Sequence, residues 1–148
     1  MKKQIVVVGA AAASEEATRL AEQVGVLIAR AGAVLVCGGL GGVMEAAARG
    51  AKTAKGTTIG ILPGTSRADA NPYIDYAIVT GMGELRNFML VRTADALVAL
   101  PGRHGTLSEV AMALRLGKTV VSLKSFEIED VLTASTPEEA VRLALSAG

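Results

Sequence analysis

The sequence predicts a Rossmann-like, doubly wound α/β fold: a mainly parallel sheet of six to seven strands with helices on both faces. Three observations predict it. Short continuous apolar runs, such as Ile5-Val6-Val7-Val8 and Ala96-Leu97-Val98-Ala99-Leu100, have the pattern of strands buried on both faces. Helical segments separate these runs, as crossovers between parallel strands require. Every glycine-rich segment (Gly9–Ala13, Gly38–Gly42, Pro63–Arg67, Gly81–Gly83, Pro101–Gly105) follows a strand. All of them are therefore expected at the carboxyl edge of the sheet, where ligands bind at the switch of strand order.

The elements follow in order. Ile5–Val8 is the first strand. Ser14 with Glu15 and Glu16 starts a helix whose apolar face is Leu20, Val24, Leu27 and Ile28, and which runs to Ala31 before Gly32. Ala33–Cys37 is the second strand, Gly38–Gly42 a glycine turn, and Val43–Thr53 an alanine-rich helix. Thr57–Leu62 is the third strand. Pro63–Pro72 reads as a loop without helical pattern. Tyr76–Val79 is a short fourth strand, Glu84–Thr93 a helix and Asp95–Leu100 the fifth strand. Thr106–Leu116 is a helix closed by Gly117, and Thr119–Leu123 the sixth strand. Ile128–Leu132 is expected as a short edge strand. Thr136-Pro137-Glu138-Glu139 opens the last helix with a proline at its first position and a capping box. With 148 residues and no linker or repeat, residues 1–148 are expected to form one domain.

Composition narrows the function. A net charge of +1 gives no electrostatic case for duplex DNA or an acidic membrane, and 3% aromatics leave few stacking platforms for single strands. No nucleic-acid partner is expected. A single cysteine and a single histidine predict neither a disulfide framework nor a metal site. Met1–Val8 is short, ends at Gly9 and is followed by acids, so it reads as a strand rather than a leader. No apolar run has the length of a membrane span. The expected compartment is the cytoplasm.

The candidate site is the stretch Pro101-Gly102-Arg103-His104-Gly105-Thr106-Leu107-Ser108-Glu109. Strand, glycine turn and helix start bring backbone N–H groups and a partial positive charge to one point, which suits a phosphate. Arg103 is a cation there, and His104 is a candidate phosphate contact or proton donor; either is also an ordinary solvated loop residue. Glu109 completes Thr106-Leu107-Ser108-Glu109, a capping box that explains the acid without chemistry. Gly38, Gly39, Gly41 and Gly42 crowd one turn. Their number favours close approach of a ligand over tight packing, with Met44 and Glu45 just beyond. The first turn lacks the dinucleotide fingerprint and there is no Walker lysine, so no standard NAD or ATP site is expected. Arg86-Asn87 opens the helix before the fifth strand, where a cation opposes the helix dipole and so implies an anionic partner. Cys37 reads as a small buried hydrophobe.

Taken together, Gly38-Gly39-Leu40-Gly41-Gly42-Val43-Met44-Glu45, Arg86-Asn87 and Pro101-Gly102…Gly105-Thr106…Glu109 resemble the LOG-like superfamily. Its best-known members are the Lonely Guy phosphoribohydrolases. Nearer is a compact bacterial branch related to molybdenum-cofactor carrier proteins and, distantly, to DNA-processing protein A. The resemblance spans essentially the whole chain. It implies Arg86 and Glu109 as a catalytic pair, and a ligand grip of Gly38, Gly39, Gly41, Gly42, Met44, Asn87, Pro101, Gly102, Arg103, His104, Gly105 and Thr106, without metal or resident cofactor. Two functions fit. One is hydrolysis of the N-glycosidic bond of a nucleoside 5′-monophosphate. The other is non-catalytic binding or carriage of a nucleotide or molybdenum cofactor. The resemblance also implies a homo-oligomer, dimer or tetramer. Arg103, in place of the glycine usual in that motif, and Asn87, in place of a lysine, are departures from the enzymes.

Overall fold

In the computed structural model, which describes residues 1–147, strand meets helix in the expected alternation. Gly148, the last residue of the expected domain, lies outside the described residues. The strands are β1 (Gln4–Val8), β2 (Val34–Cys37), β3 (Thr57–Leu62), β4 (Tyr76–Val79), β5 (Ala96–Ala99), β6 (Thr119–Leu123) and β7 (Leu132–Ala134). The helices are α1 (Glu15–Arg30), α2 (Val43–Thr53), α3 (Arg86–Thr93), α4 (His104–Arg115) and α5 (Pro137–Leu145). One seven-stranded sheet has the order β4-β3-β2-β1-β5-β6-β7, and every pairing is parallel.

The continuous apolar run of β1 explains its central place. Ile5 and Val7 pack into one core layer with α1, α2 and α5, while Val6 and Val8 pack into the other with α3 and α4. All four are buried. Each such side chain contributes roughly 1.5–3 kcal/mol by leaving water, which suits only apolar residues to both faces of this strand. Registers Val8↔Ala99, Val36↔Ile59 and Ile61↔Ile78 bring the strand ends to a common rim, so the turns after β1, β2, β3 and β5 lie side by side.

Local signals set the helix ends. Ser14 caps α1 by accepting from the Ala17 N–H, and Gly32 takes up a φ of +76° just beyond. Thr136 caps α5 by accepting from the Glu139 N–H at 3.1 Å. The Glu139 carboxylate turns back to the Ser135 N–H at 2.8 Å, one residue before the expected partner.

Several boundaries differ from expectation. The helix expected over Glu84–Thr93 begins at Arg86, behind a 3-10 turn at Gly83–Leu85. The seventh strand is Leu132–Ala134, not Ile128–Leu132. Asp130 adopts a φ of +72° and the Val131 N–H bonds back to the Ile128 carbonyl, so that segment is a turn and pairing begins after it. The 63–72 loop contains a 3-10 turn, Arg67–Asp69, nucleated by the Ser66 hydroxyl on the Ala68 N–H. Helix α4 begins at His104, two residues before the expected Thr106. Among the described residues no helix is long and apolar enough to cross a membrane.

Helices α1 and α2 meet backbone to backbone. A Cβ on Gly50 would lie 2.0 Å from the Glu22 carbonyl oxygen, and one on Gly25 2.0 Å from that of Ala47. Gly50→Ala must push the helices apart. The expected cost is about 1–3 kcal/mol in urea unfolding, with an unchanged denaturant slope.

Candidate functional site

The sheet order reverses at β1, with β2 on one side and β5 on the other. The turns after β1 and β5 flank that switch and are tied together: the Ala10 N–H donates to the Pro101 carbonyl at 2.9 Å. A cleft of about 650 Å³ opens there. Its walls are the β1 end and first turn (Val7–Ala12), Gly38, Leu40 and Met44 from the glycine turn and α2, Pro63, the Gly83–Glu84 turn with Arg86 and Asn87, and Arg103, Gly105, Thr106 and Glu109 on α4.

The start of α4 is chemically open. Hydroxyls cap α1 and α5, but Arg103 precedes α4 and makes no side-chain cap. The first N–H of α4 with a protein acceptor is that of Leu107, which bonds to the Arg103 carbonyl. The N–H groups of His104, Gly105 and Thr106 find no acceptor among the described residues. Orphan donors and the helix dipole thus act at one point of the cleft wall, the arrangement that binds anions. At the start of α2 the Ala10 carbonyl accepts from the Val43 N–H at 2.9 Å, and the N–H groups of Met44 and Glu45 find no acceptor among the described residues.

The predicted residues divide accordingly. Gly38, Met44, Arg86, Asn87, Arg103, Gly105, Thr106 and Glu109 line the cleft. Gly39, Gly41, Gly42, Pro101, Gly102 and His104 do not. Gly42 serves packing: its φ is +65°, and a Cβ there would meet the Ala10 oxygen at 2.2 Å. Gly102 is held against α4, where a Cβ would meet the Thr106 hydroxyl at 2.0 Å. Gly39 donates its N–H to Cys37 Sγ and accepts from the Asn71 N–H. Glu45 is half-buried in the first turn of α2, away from the cleft wall. The lining residues not among the predicted site residues include those of Gly9–Ala12, a segment expected at the rim but given no ligand role. Their signal was positional: the turn after the central strand must border a switch point.

Glu109 is not a capping residue. With α4 starting at His104, Thr106 is already the third helical residue and Glu109 points from the second turn into the cleft. Its carboxylate accepts no hydrogen bond and forms no ion pair among the described residues. Arg86, on the facing helix, donates from Nη2 to the Gly38 carbonyl at 3.3 Å and from Nη1 to Asn87 Oδ1. Its buried Nε has no partner. Burial dominates both side chains. It pushes Glu109 up to about 7 against the pull of Arg86, and it lowers Arg86 against the opposing charges of Glu109 and Cys37. Burial likewise holds the Cys37 thiol up at about 11, so it stays protonated. Unpaired buried groups with shifted ionisation, in a cleft, are the physical mark of a functional site.

Comparison with known proteins agrees with this fold. The family described as "LDcluster4: SLOG cluster4 family" matches residues 2–147. An uncharacterized protein of Archaeoglobus fulgidus is 48% identical over 144 residues, covering 97% of this chain and 95% of its own. The molybdenum cofactor binding protein of Rippkaea orientalis superposes with a TM-score of 0.94 at 40% identity, over 99% of this chain and 97% of that one. The molybdenum cofactor carrier protein of Chlamydomonas reinhardtii gives a TM-score of 0.88 at 34% identity, over 99% and 98%.

Glu109 makes stability depend on pH. Its folded-state value lies above the ordinary 4.5, so its contribution is complete below about 4.5 and is lost as pH rises through about 7. Against Glu109→Gln, the wild type is expected to lose up to about 3 kcal/mol of unfolding free energy between pH 4.5 and 8. Parallel urea titrations across that range read the difference.

Proposed function

The chain belongs to the SLOG cluster4 family, and on that premise we propose that its rim cleft binds a phosphorylated pterin-type ligand, as a binding or carrier protein for the molybdenum cofactor. The observation that carries this reading is the uncapped start of α4, where three N–H groups are free and two of them, of Gly105 and Thr106, belong to residues that line the cleft with Arg103. A phosphate fits that place by charge and by hydrogen bonding. The deeper wall, with Arg86, Asn87 and Glu109, then faces the organic body of the ligand. The two solved relatives whose names refer to the molybdenum cofactor support the choice of ligand.

The donor set fits cargo of this kind. Among the described residues no three His, Cys, Asp or Glu side chains converge to hold a metal ion. A metal in the ligand would therefore keep the ligand's own donors, and the chain would grip phosphate and ring. Self-association belongs to the same proposal. Tyr76, Ile78 and Val79 on the edge strand β4 are exposed apolar surface that a second copy would cover.

One observation favours a second reading. A carboxyl group held near 7 in the same cleft as an arginine suits general-base chemistry. Glu109 would take a proton from water as it adds to the sugar carbon of a nucleoside 5′-monophosphate. The N-glycosidic bond would break, leaving free base and ribose 5-phosphate.

The carrier reading expects molybdenum to co-elute with the protein after incubation with released cofactor, with a mass above the monomer by light scattering. Inorganic phosphate at about a hundred times its dissociation constant should add about 2.7 kcal/mol and raise Tm by roughly 5–10 °C, less so in Arg103→Ala. AMP incubated with the protein should release no base. Release abolished by Glu109→Ala would favour hydrolysis instead, and failure to bind either phosphate or cofactor would refute the carrier.

A further inference from the structure

The cleft wall holds two groups of opposite character that are not spent on each other. Glu109 offers two acceptor oxygens with no donor among the described residues. Arg86 has five N–H donors, of which the described structure engages two. Both are more than nine-tenths buried and both line the same cleft, yet no ion pair joins them. A ligand that satisfies this wall must present a pair of donors to Glu109 and an acceptor to Arg86, next to one another.

We propose that Arg86 and Glu109 read the edge of a 2-amino-4-oxopyrimidine ring, the edge that guanine and pterins share. That edge carries an exocyclic NH2, a ring N–H and a carbonyl oxygen in a row. The first two donate to the Glu109 carboxylate, and the carbonyl accepts from the Arg86 guanidinium. The inference rests on the rim cleft being the ligand site and sharpens it by assigning the ring-reading side chains. Adenine is rejected by the same wall, because its ring nitrogen N1 sets a lone pair against a carboxylate oxygen. A site built to bond a donor discriminates strongly against a ring that lacks it.

Protonation sets the direction of this selectivity. The charged groups that line the cleft with Glu109 are Arg86 on α3, Glu84 on the turn before α3 and Arg103 before α4; Cys37 on β2 neighbours Arg86, and His104 starts α4 outside the lining. Cys37 stays a thiol in the working range. Donation by the ring favours the carboxylate form, so a 2-amino-4-oxopyrimidine ligand expels a proton from Glu109 near pH 7. Protonated Glu109 presents one donor and one acceptor, which is the pattern adenine accepts. Preference for guanine over adenine therefore falls as pH falls.

Calorimetric titration of the whole chain with GMP, IMP and AMP tests this. At pH 8 the expected order is GMP, then IMP, then AMP, with GMP about 10- to 100-fold tighter than AMP. The ratio should shrink below pH 7, and GMP binding at pH 7 in buffers of different ionisation enthalpy should show proton release. In Glu109→Gln, with its fold checked by circular dichroism, the ratio should approach one and lose its pH dependence. If that variant does not fold, the pH dependence of the wild-type ratio decides. Equal binding of GMP and AMP at pH 8, or proton uptake with GMP, overturns the assignment. If phosphate binds and none of the three nucleotides does, the ring assignment falls and the rim site stands. If phosphate fails as well, the rim site falls with it.

Discussion

Everything at the functional rim depends on the reversal of strand order at β1. A strand buried on both faces, with β2 on one flank and β5 on the other, leaves the turns after β1 and β5 lying against each other. The bond from the Ala10 N–H to the Pro101 carbonyl closes their base, and that from the Val43 N–H to the Ala10 carbonyl ties the first residue of α2 to the same turn. At the start of α4 the N–H groups of His104, Gly105 and Thr106 stay free. The sheet thus brings the start of α4 to the rim before any side chain takes part.

Desolvation decides what the side chains then do. Had Arg86 and Glu109 formed a close ion pair, both would be held charged and the cleft wall would be self-satisfied. Instead burial outweighs their attraction, Glu109 rises toward neutrality and Arg86 Nε is left without an acceptor. Buried polar groups left in this condition cost stability. Such a ligand as the one proposed would satisfy them.

Much of this was legible in the chain. The runs Ile5–Val8 and Ala96–Ala99 announced central strands because no polar residue interrupts them, and Ser14 and Thr136 announced helix starts through local bonds that the structure forms. Arg86 stood out because a cation at a helix start has a local cost. What was not legible depended on contacts distant in sequence. The glycines of 38–42 read as an approach for ligand, yet Gly42 is required by the Ala10–Ala11 backbone, some thirty residues earlier. On its local motif alone Glu109 read as a capping residue, because Thr106-Leu107-Ser108-Glu109 fits that box, and only the resemblance gave it a site role. The helix starts two residues sooner, since Gly102 seats against Thr106 and turns the chain early. The edge strand β7 was misplaced because the turn at Asp130 has no strong sequence signal.

The measurement that bears most directly on this account is the anomalous difference density of crystals soaked in selenate, a tetrahedral mimic of phosphate. The account predicts one strong site within hydrogen-bonding distance of the N–H groups of His104, Gly105 and Thr106, with Arg103 turned toward it. Selenate bound only at exposed lysines, with the start of α4 facing water, would contradict it.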